Sequence, residues 1–267
     1  MSFTVSTTDQ KWLRKRKLEI ATPMYGAQCT GQHRALCLSL THLLTKFGVT
    51  HKFSGQMDES LITRGRNKIA CHFLQSDYTD LLFLDADIWL KAEDVLHMLL
   101  ISKKHRGIVC APYAKKGINW ARIAKVCQQK KEYPLELMNT YGGSVVANFI
   151  VPNMSWRKPI KVLESGTGIM LIPRYVFTKM ISRKAIQWYK FVDEELPQMK
   201  TRKAFAFFMD PIDPKDHIHL SEDWYFARTW KRIGGTTWLC PWIVSKHIGQ
   251  YEYELNIPAI AQTGETL

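Results

Sequence analysis

Apolar residues in this chain come in two rhythms, short unbroken runs and a three-to-four-residue repeat, and the two alternate. The run Leu81-Leu82-Phe83-Leu84 is bounded by polar residues, the pattern of a strand covered on both faces. Further short runs fall at Leu18-Glu19-Ile20-Ala21-Thr22, near 51–55, at Gly107-Ile108-Val109-Cys110-Ala111, and at 236–240 and 242–249. Within 162–174, two strands are predicted around a turn holding Gly166 and Gly168, glycines that suit close approach of a ligand or simply a tight turn. Helical repeats lie between the runs: Leu36, Leu40, Leu43 and Leu44 within 32–47, Ile62, Ile69, Phe73 and Leu74 within 60–76, and a helix from Ala92 to about Ser102. Ser221 is placed to cap a helix that Gly234 or Gly235 ends, with Lys231 and Arg232 in its last turn. Strands alternating with helices predict an α/β fold around a mostly parallel sheet. The stretch 127–158 is turn-rich and reads as an insertion carrying a hairpin.

Composition narrows the class. With 267 residues the chain suits one large domain, and a hydrophobic fraction of 46% excludes a mainly disordered one. The formal charge of +13 calls for a polyanionic partner, whether nucleic acid, an anionic membrane surface or an acidic glycan. The cluster Lys11-Trp12-Leu13-Arg14-Lys15-Arg16-Lys17 is either a solvated leader or an arm that meets phosphates. Six scattered cysteines read as reduced thiols of a cytoplasmic protein. The polar first ten residues lack the apolar core of a secretory signal, and no run reaches membrane-spanning length, so any membrane contact would be peripheral.

Candidate chemistry begins where the apolar run stops, at Asp85-Ala86-Asp87. Carboxylates are costly to bury unpaired, and the carboxyl ends of the strands are where open α/β sheets bind ligands. Two acids around one small residue hold a divalent cation against a phosphate, or else merely open the next helix. Pro23-Met24-Tyr25-Gly26 ends the first strand at the same edge and offers a ring for stacking a base. Arg64, Arg66, Asn67 and Lys68 crowd one helical turn, which suits phosphate or nucleotide contact, and Lys115 and Lys116 follow another strand end. Glu222 and Asp223 open the helix after Ser221, where the dipole favours acids and where a carboxylate facing a cleft takes a proton from a hydroxyl. The loop 210–219, rich in Asp, Pro and His, reads as a lid or a second metal site. His247 closes the last core strand and is either structural or a third metal ligand.

In this order the motifs resemble the GT-A fold glycosyltransferases, most nearly the compact enzymes of bacteriophages and large viruses. The pattern comprises Ile62-Thr63-Arg64-Gly65-Arg66-Asn67, Leu82-Phe83-Leu84-Asp85-Ala86-Asp87-Ile88, Gly168-Ile169-Met170-Leu171-Ile172, Ser221-Glu222-Asp223, and Gly234-Gly235 through His247-Ile248-Gly249. The resemblance implies a Rossmann-like, nucleotide-binding sheet with a smaller acceptor-side part. On that basis, 1–17 is a leader, 18–253 the glycosyltransferase domain and 254–267 a tail. Within the domain, 18–126 forms the nucleotide-sugar half, 127–158 the insertion and 159–253 the acceptor half.

The resemblance further implies a nucleotide-sugar donor, usually a UDP-sugar, held through Mn²⁺ or Mg²⁺. Asp85, Asp87 and His247 would hold the metal; Pro23, Tyr25, Arg64, Arg66, Asn67, Asp85 and Lys115 would line the donor site; Asp223, with Glu222 beside it, would be the base for inverting transfer. No Gln-x-x-Arg-Trp signature of the processive members follows the Glu222-Asp223 helix, so single sugar addition is expected. The favoured acceptor is a 5-hydroxymethylpyrimidine base in phage DNA, in the host cytoplasm. A cell-envelope or capsid glycan is the alternative. A metal-dependent phosphohydrolase and a non-catalytic nucleic-acid binding protein are the readings outside this class.

Overall fold

Strands too apolar to face water and helices apolar on one side only need each other for cover, and the fold follows from that. The structure, a computed structural model, describes residues 5–129, 140–150, 155–190, 203–249 and 252–262. In chain order these form α1 (Thr7–Leu13), β1 (Lys17–Met24), α2 (Gly31–Phe47), β2 (Thr50–Met57), α3 (Ile62–Gln75), β3 (Asp80–Leu84), β4 (Ile88–Leu90), α4 (Ala92–Lys104), β5 (Ile108–Cys110), α5 (Trp120–Gln129), β6 (Ala147–Phe149), β7 (Ile160–Ser165), β8 (Ile169–Pro173), α6 (Arg174–Ser182), β9 (Trp188–Lys190), β10 (Lys203–Phe205), α7 (Glu222–Arg232), β11 (Thr237–Leu239), β12 (Ser245–Ile248), β13 (Glu252–Leu255) and α8 (Ile257–Ala261).

Eight strands make the central sheet in the order β2-β1-β3-β8-β5-β11-β7-β6. Strands β8 and β7 run against their neighbours, and the other six share one direction. The sheet is therefore largely parallel, as predicted. All five residues of β3 are buried. Alternation sends Leu82 and Leu84 into a core with Leu36, Leu40, Val95 and Leu99 of α2 and α4, while Leu81 and Phe83 meet Phe73, Phe177, Phe226 and Trp230 of α3, α6 and α7. A small sheet, β13-β12-β4, leaves the main one directly after Asp87, and β9 and β10 form a separate antiparallel ribbon.

Several expectations are modified. The basic N-terminal cluster is not a loose leader: Leu13 is buried, Arg16 donates to the buried Asp80 (Nε to Oδ2, 2.8 Å), and Lys17 already belongs to β1. The two strands around Gly166 and Gly168 are not partners, since β8 lies between β3 and β5 while β7 pairs with β11 and β6. The predicted insertion, 127–158, takes in only the end of α5 and the edge strand β6, and its segments 130–139 and 151–154 lie outside the described residues, as do Tyr251 and the end of the tail from 263. The loop 210–219 is tied down rather than lid-like, because Asp213 accepts from Arg228 and Arg232 at 3.0 Å each and Asp216 accepts from Arg228. All six cysteines are unpaired, and among the described residues no helix is long and apolar enough to cross a membrane.

Candidate active site

The chain leaves β3 into a turn that is pinned from both sides. Asp85 N–H donates to the Gly168 carbonyl at 3.0 Å, and the Ala86 carbonyl accepts from Thr30 N–H at 2.9 Å and from its hydroxyl at 3.3 Å. Strand β4 then starts at Ile88 and pairs antiparallel with β12, placing His247 opposite Ile88, with Ile248 N–H on the Asp87 carbonyl at 2.7 Å. This register brings residues 160 positions apart together: His247 Nε2 lies 3.4 Å from Asp87 Oδ1. His247 Nδ1 is 2.7 Å from the Ala114 carbonyl oxygen, which only accepts, so Nδ1 carries the hydrogen. In the neutral ring the Nε2 lone pair then faces the carboxylate, an opposition that a proton or cation between the two relieves. Lys116 pairs with the other oxygen of Asp87. Burial works against ionisation of Asp87, but a proton on His247 Nε2 donated to the carboxylate, together with the Lys116 ammonium, prevails and lowers its pKa to about 2.

Asp85 turns the other way, toward α3. Its carboxylate accepts from Arg66 Nη2 at 3.0 and 3.3 Å, while Arg66 Nε reaches Glu222 at the start of α7, 3.3 Å away. Arg66 is buried over the Phe83 ring, and its Nη1 is buried with no hydrogen-bond partner among the described residues. One guanidinium thus bridges acids from the two halves of the chain. Burial raises the Glu222 carboxyl, and the Asp223 charge adds to that against the pull of Arg66. Asp223 is buried deeper; its Oδ1 accepts from Trp224 N–H at 2.8 Å and from the Ser221 hydroxyl. Ser221 holds the N-cap position as predicted, but its hydroxyl serves this carboxylate instead of capping the helix. Burial raises the Asp223 carboxyl too, despite these hydrogen bonds.

A cleft of about 520 Å³ is lined by Pro23, Tyr25, Arg66, Asp85, Asp87 and His247 among others, and Glu222 is tied to it through Arg66. Tyr25, 80% exposed on a short helical turn, stands at its rim. Three predicted donor-site residues lie elsewhere. Asn67 is buried and clasps Phe208, donating to its carbonyl at 2.8 Å and accepting from its N–H at 2.9 Å. Arg64 points to Glu59 (2.6 Å) and borders a neighbouring groove. Lys115 is exposed, and its neighbour Lys116 is the residue that reaches Asp87. Nor do Gly166 and Gly168 make room for a ligand: a Cβ on Gly166 would sit 1.9 Å from the Tyr113 hydroxyl, and one on Gly168 2.7 Å from Ile88. Tyr113 fills that space, with its ring edge against His247. Sequence reasoning missed Tyr113 and Glu59, neither of which carries a motif.

Among the described residues no three His, Cys, Asp or Glu side chains are grouped to hold a metal ion. The predicted trio is divided, because Arg66 draws Asp85 away from the facing pair Asp87 and His247. That pair still fits a cation bound together with a diphosphate, since Mg²⁺ is ordinarily held by one or two protein ligands plus phosphate oxygens and water.

No protein-family profile and no curated protein sequence matches the chain. Among solved structures it is similar to A197 from STIV, with 15% identity and a TM-score of 0.46 over 88% of this chain and 86% of that one. It is also similar to S. aureus TarS, with 12% identity and a TM-score of 0.39 over 90% of this chain and 60% of that one. A third likeness is to GalNAc-T7 in a structure with UDP, GalNAc and Mn²⁺, with 11% identity and a TM-score of 0.42 over 91% of this chain and 44% of that one. The chain thus spans less than two thirds of TarS and of GalNAc-T7. At such scores the likeness carries no chemistry, which rests on the residues of the cleft.

Proposed function

We propose that the chain is a metal-dependent, inverting glycosyltransferase that moves one sugar from a nucleotide sugar, a UDP-sugar, to an acceptor hydroxyl. The observation that carries this reading is convergence. Asp87 and His247, 3.4 Å apart, line one cleft with Asp85 and Arg66, and Arg66 ties that cleft to Glu222, the neighbour of Asp223 in sequence. Structural ion pairs alone need no exposed Tyr25 at the rim of a cleft this size.

In this mechanism the Tyr25 ring supports the nucleotide base, and Arg66 and Lys116 contribute positive charge beside the diphosphate. Asp87 and His247 would hold the cation, which when bound supplies Lewis-acid neutralisation of the departing diphosphate. Asp223 takes the proton of the acceptor hydroxyl as that oxygen attacks the anomeric carbon. The new C–O bond forms opposite the old one, which breaks with its electron pair leaving on the nucleoside diphosphate. Glu222 is already engaged by Arg66, which favours Asp223 as base. The net charge of +13 supports a DNA acceptor bearing a 5-hydroxymethylpyrimidine.

The test is a screen of nucleotide sugars, with and without Mn²⁺ or Mg²⁺, for binding, hydrolysis and transfer. Asp87→Ala and His247→Ala are expected to weaken metal-dependent donor binding. Asp223→Asn should keep donor binding and lose turnover by roughly 10²–10⁴-fold. Phosphate release from a simple ester without sugar transfer, or full turnover by Asp223→Asn, would overturn the reading.

A further inference from the structure

Strands β1, β2, β3, β5 and β11 run in one direction, so the edge of the sheet where they begin lies opposite the cleft, which Pro23 in β1 and Asp85 after β3 help to line. The length of β1, Lys17–Met24, sets roughly 25 Å between the two edges. On the far edge every acid is matched. Asp80 accepts from Arg16, Asp77 pairs with Lys17, and Asp9 pairs with Lys103 at 2.8 Å. Cations remain over. Lys11, Arg14 and Lys15 around the end of α1, Lys46 in the last turn of α2, Lys104 in that of α4 and Arg106 before β5 are exposed, and none is ion-paired among the described residues.

Contacts gather these side chains into one face. Arg14 lies against Gly48, where α2 ends, so that a Cβ on that glycine would stand 2.9 Å from Arg14 Cγ. Trp12 joins α1 to α4, with Arg16 4.9 Å and Lys103 5.9 Å from its ring centroid. Cations suit the carboxyl ends of helices, but so many on one face repel each other, a cost that a bound polyanion relieves.

A polyanion held here faces away from Asp223, so this part of the positive charge does not serve the acceptor. No residue of the patch lines the cleft or the groove beside Arg64. Trp12 packs on the core beneath Arg16 and Lys103 and gives bases no free platform for stacking. Duplex DNA gripped by its phosphates alone would hold the proposed acceptor at the wrong edge. A fixed anionic surface meets neither objection, because docking on it leaves the cleft open on the other side. Lysines and arginines spread over one face are what the head groups of an anionic bilayer attract.

We propose that this edge docks the protein on a membrane surface bearing anionic lipids, with the cleft turned away from the bilayer. The inference does not rest on the transferase reading.

Cosedimentation of the full chain with vesicles of phosphatidylcholine, alone or mixed with phosphatidylserine, tests it across a salt series. Binding is expected to the mixed vesicles only and should weaken as salt rises. Arg14→Glu with Lys15→Glu should weaken it by about 25-fold or more, from about fivefold per cation near an anionic surface. The melting temperature of that variant should hold, because neither side chain is ion-paired. Lys46→Gln with Lys104→Gln, expected to lose about 25-fold, takes its place if the first pair does not fold. Arg157→Glu with Lys158→Glu makes the same change of charge on exposed residues before β7, at the cleft edge, and should bind as wild type does. Equal binding to both kinds of vesicle, binding to neither, full binding by the patch variants, or an equal loss in the Arg157 and Lys158 pair would overturn the inference. A duplex oligonucleotide that binds more tightly than the vesicles, and loses affinity in the same patch variants, would make nucleic acid the partner and overturn it as well. A failed nucleotide-sugar screen would leave these results standing, and their failure would leave the cleft reading standing.

Discussion

Asp223 is held by Trp224 N–H and the Ser221 hydroxyl yet has its carboxyl raised by burial, a combination that suits the role of base proposed for it. Turnover should therefore fall as pH drops through a value raised above that of an ordinary aspartate, since protonation removes the proposed acceptor of the hydroxyl proton. A pH profile of kcat under saturating donor checks this. Asn67 illustrates the opposite case. Asn67→Ala leaves the N–H and carbonyl of Phe208 unpaired and should cost about 2–4 kcal/mol in chemical denaturation. That Asp85 and Asp87 would line a cleft was legible because acids ending a buried run have few structural excuses, but not that Arg66 would divide Asp85 from Asp87 and His247. Asn67 was not, because an amide in a helix reads the same whether it clasps a loop or a ligand. Lys115 and Lys116 differ only in which way a turn faces, and sequence gives no hold on that.

At the scale of elements, α3 starts without a conventional cap, and Glu59 stands in for one: it accepts from Leu61 N–H at 3.2 Å and pairs with Arg64 and Lys68. The Arg64 contact above all pulls its carboxyl down to about 2. A lowered pKa means that the stability it adds is present above the ordinary value of 4.5 and lost as pH falls toward 2. Thermal melts of Glu59→Gln should accordingly be flatter than wild type across that window. The glycine turn makes a second prediction: Gly166→Ala should lower stability by about 1–3 kcal/mol, because a methyl there overlaps the Tyr113 hydroxyl. Strand positions were readable from apolar runs, but neighbours were not. Only long-range packing separates β8 from β7 and slots it between β3 and β5.

Across the whole molecule, distant segments are joined by a few buried charges. Arg16, from the basic cluster, pairs with Asp80 at the start of β3, so Arg16→Ala should leave that carboxylate without its main counter-charge. The expected loss is about 3 kcal/mol in denaturant unfolding. The net charge of +13 gave no sign that part of this lysine- and arginine-rich stretch would be spent on the fold itself. The order of strands and helices, by contrast, was written plainly in the alternation of rhythms.

Arg66 links Asp85 and Glu222 through a single delocalised charge. It cannot neutralise both at full strength, so whatever binds beside Asp85 changes how tightly Glu222 is gripped. On the proposed reading, donor bound beside Asp85 would then alter the acid end where the acceptor reacts, and the two should enter in a compulsory sequence. Steady-state inhibition by the spent nucleotide, competitive toward donor and noncompetitive toward acceptor, is the kinetic mark of such a queue.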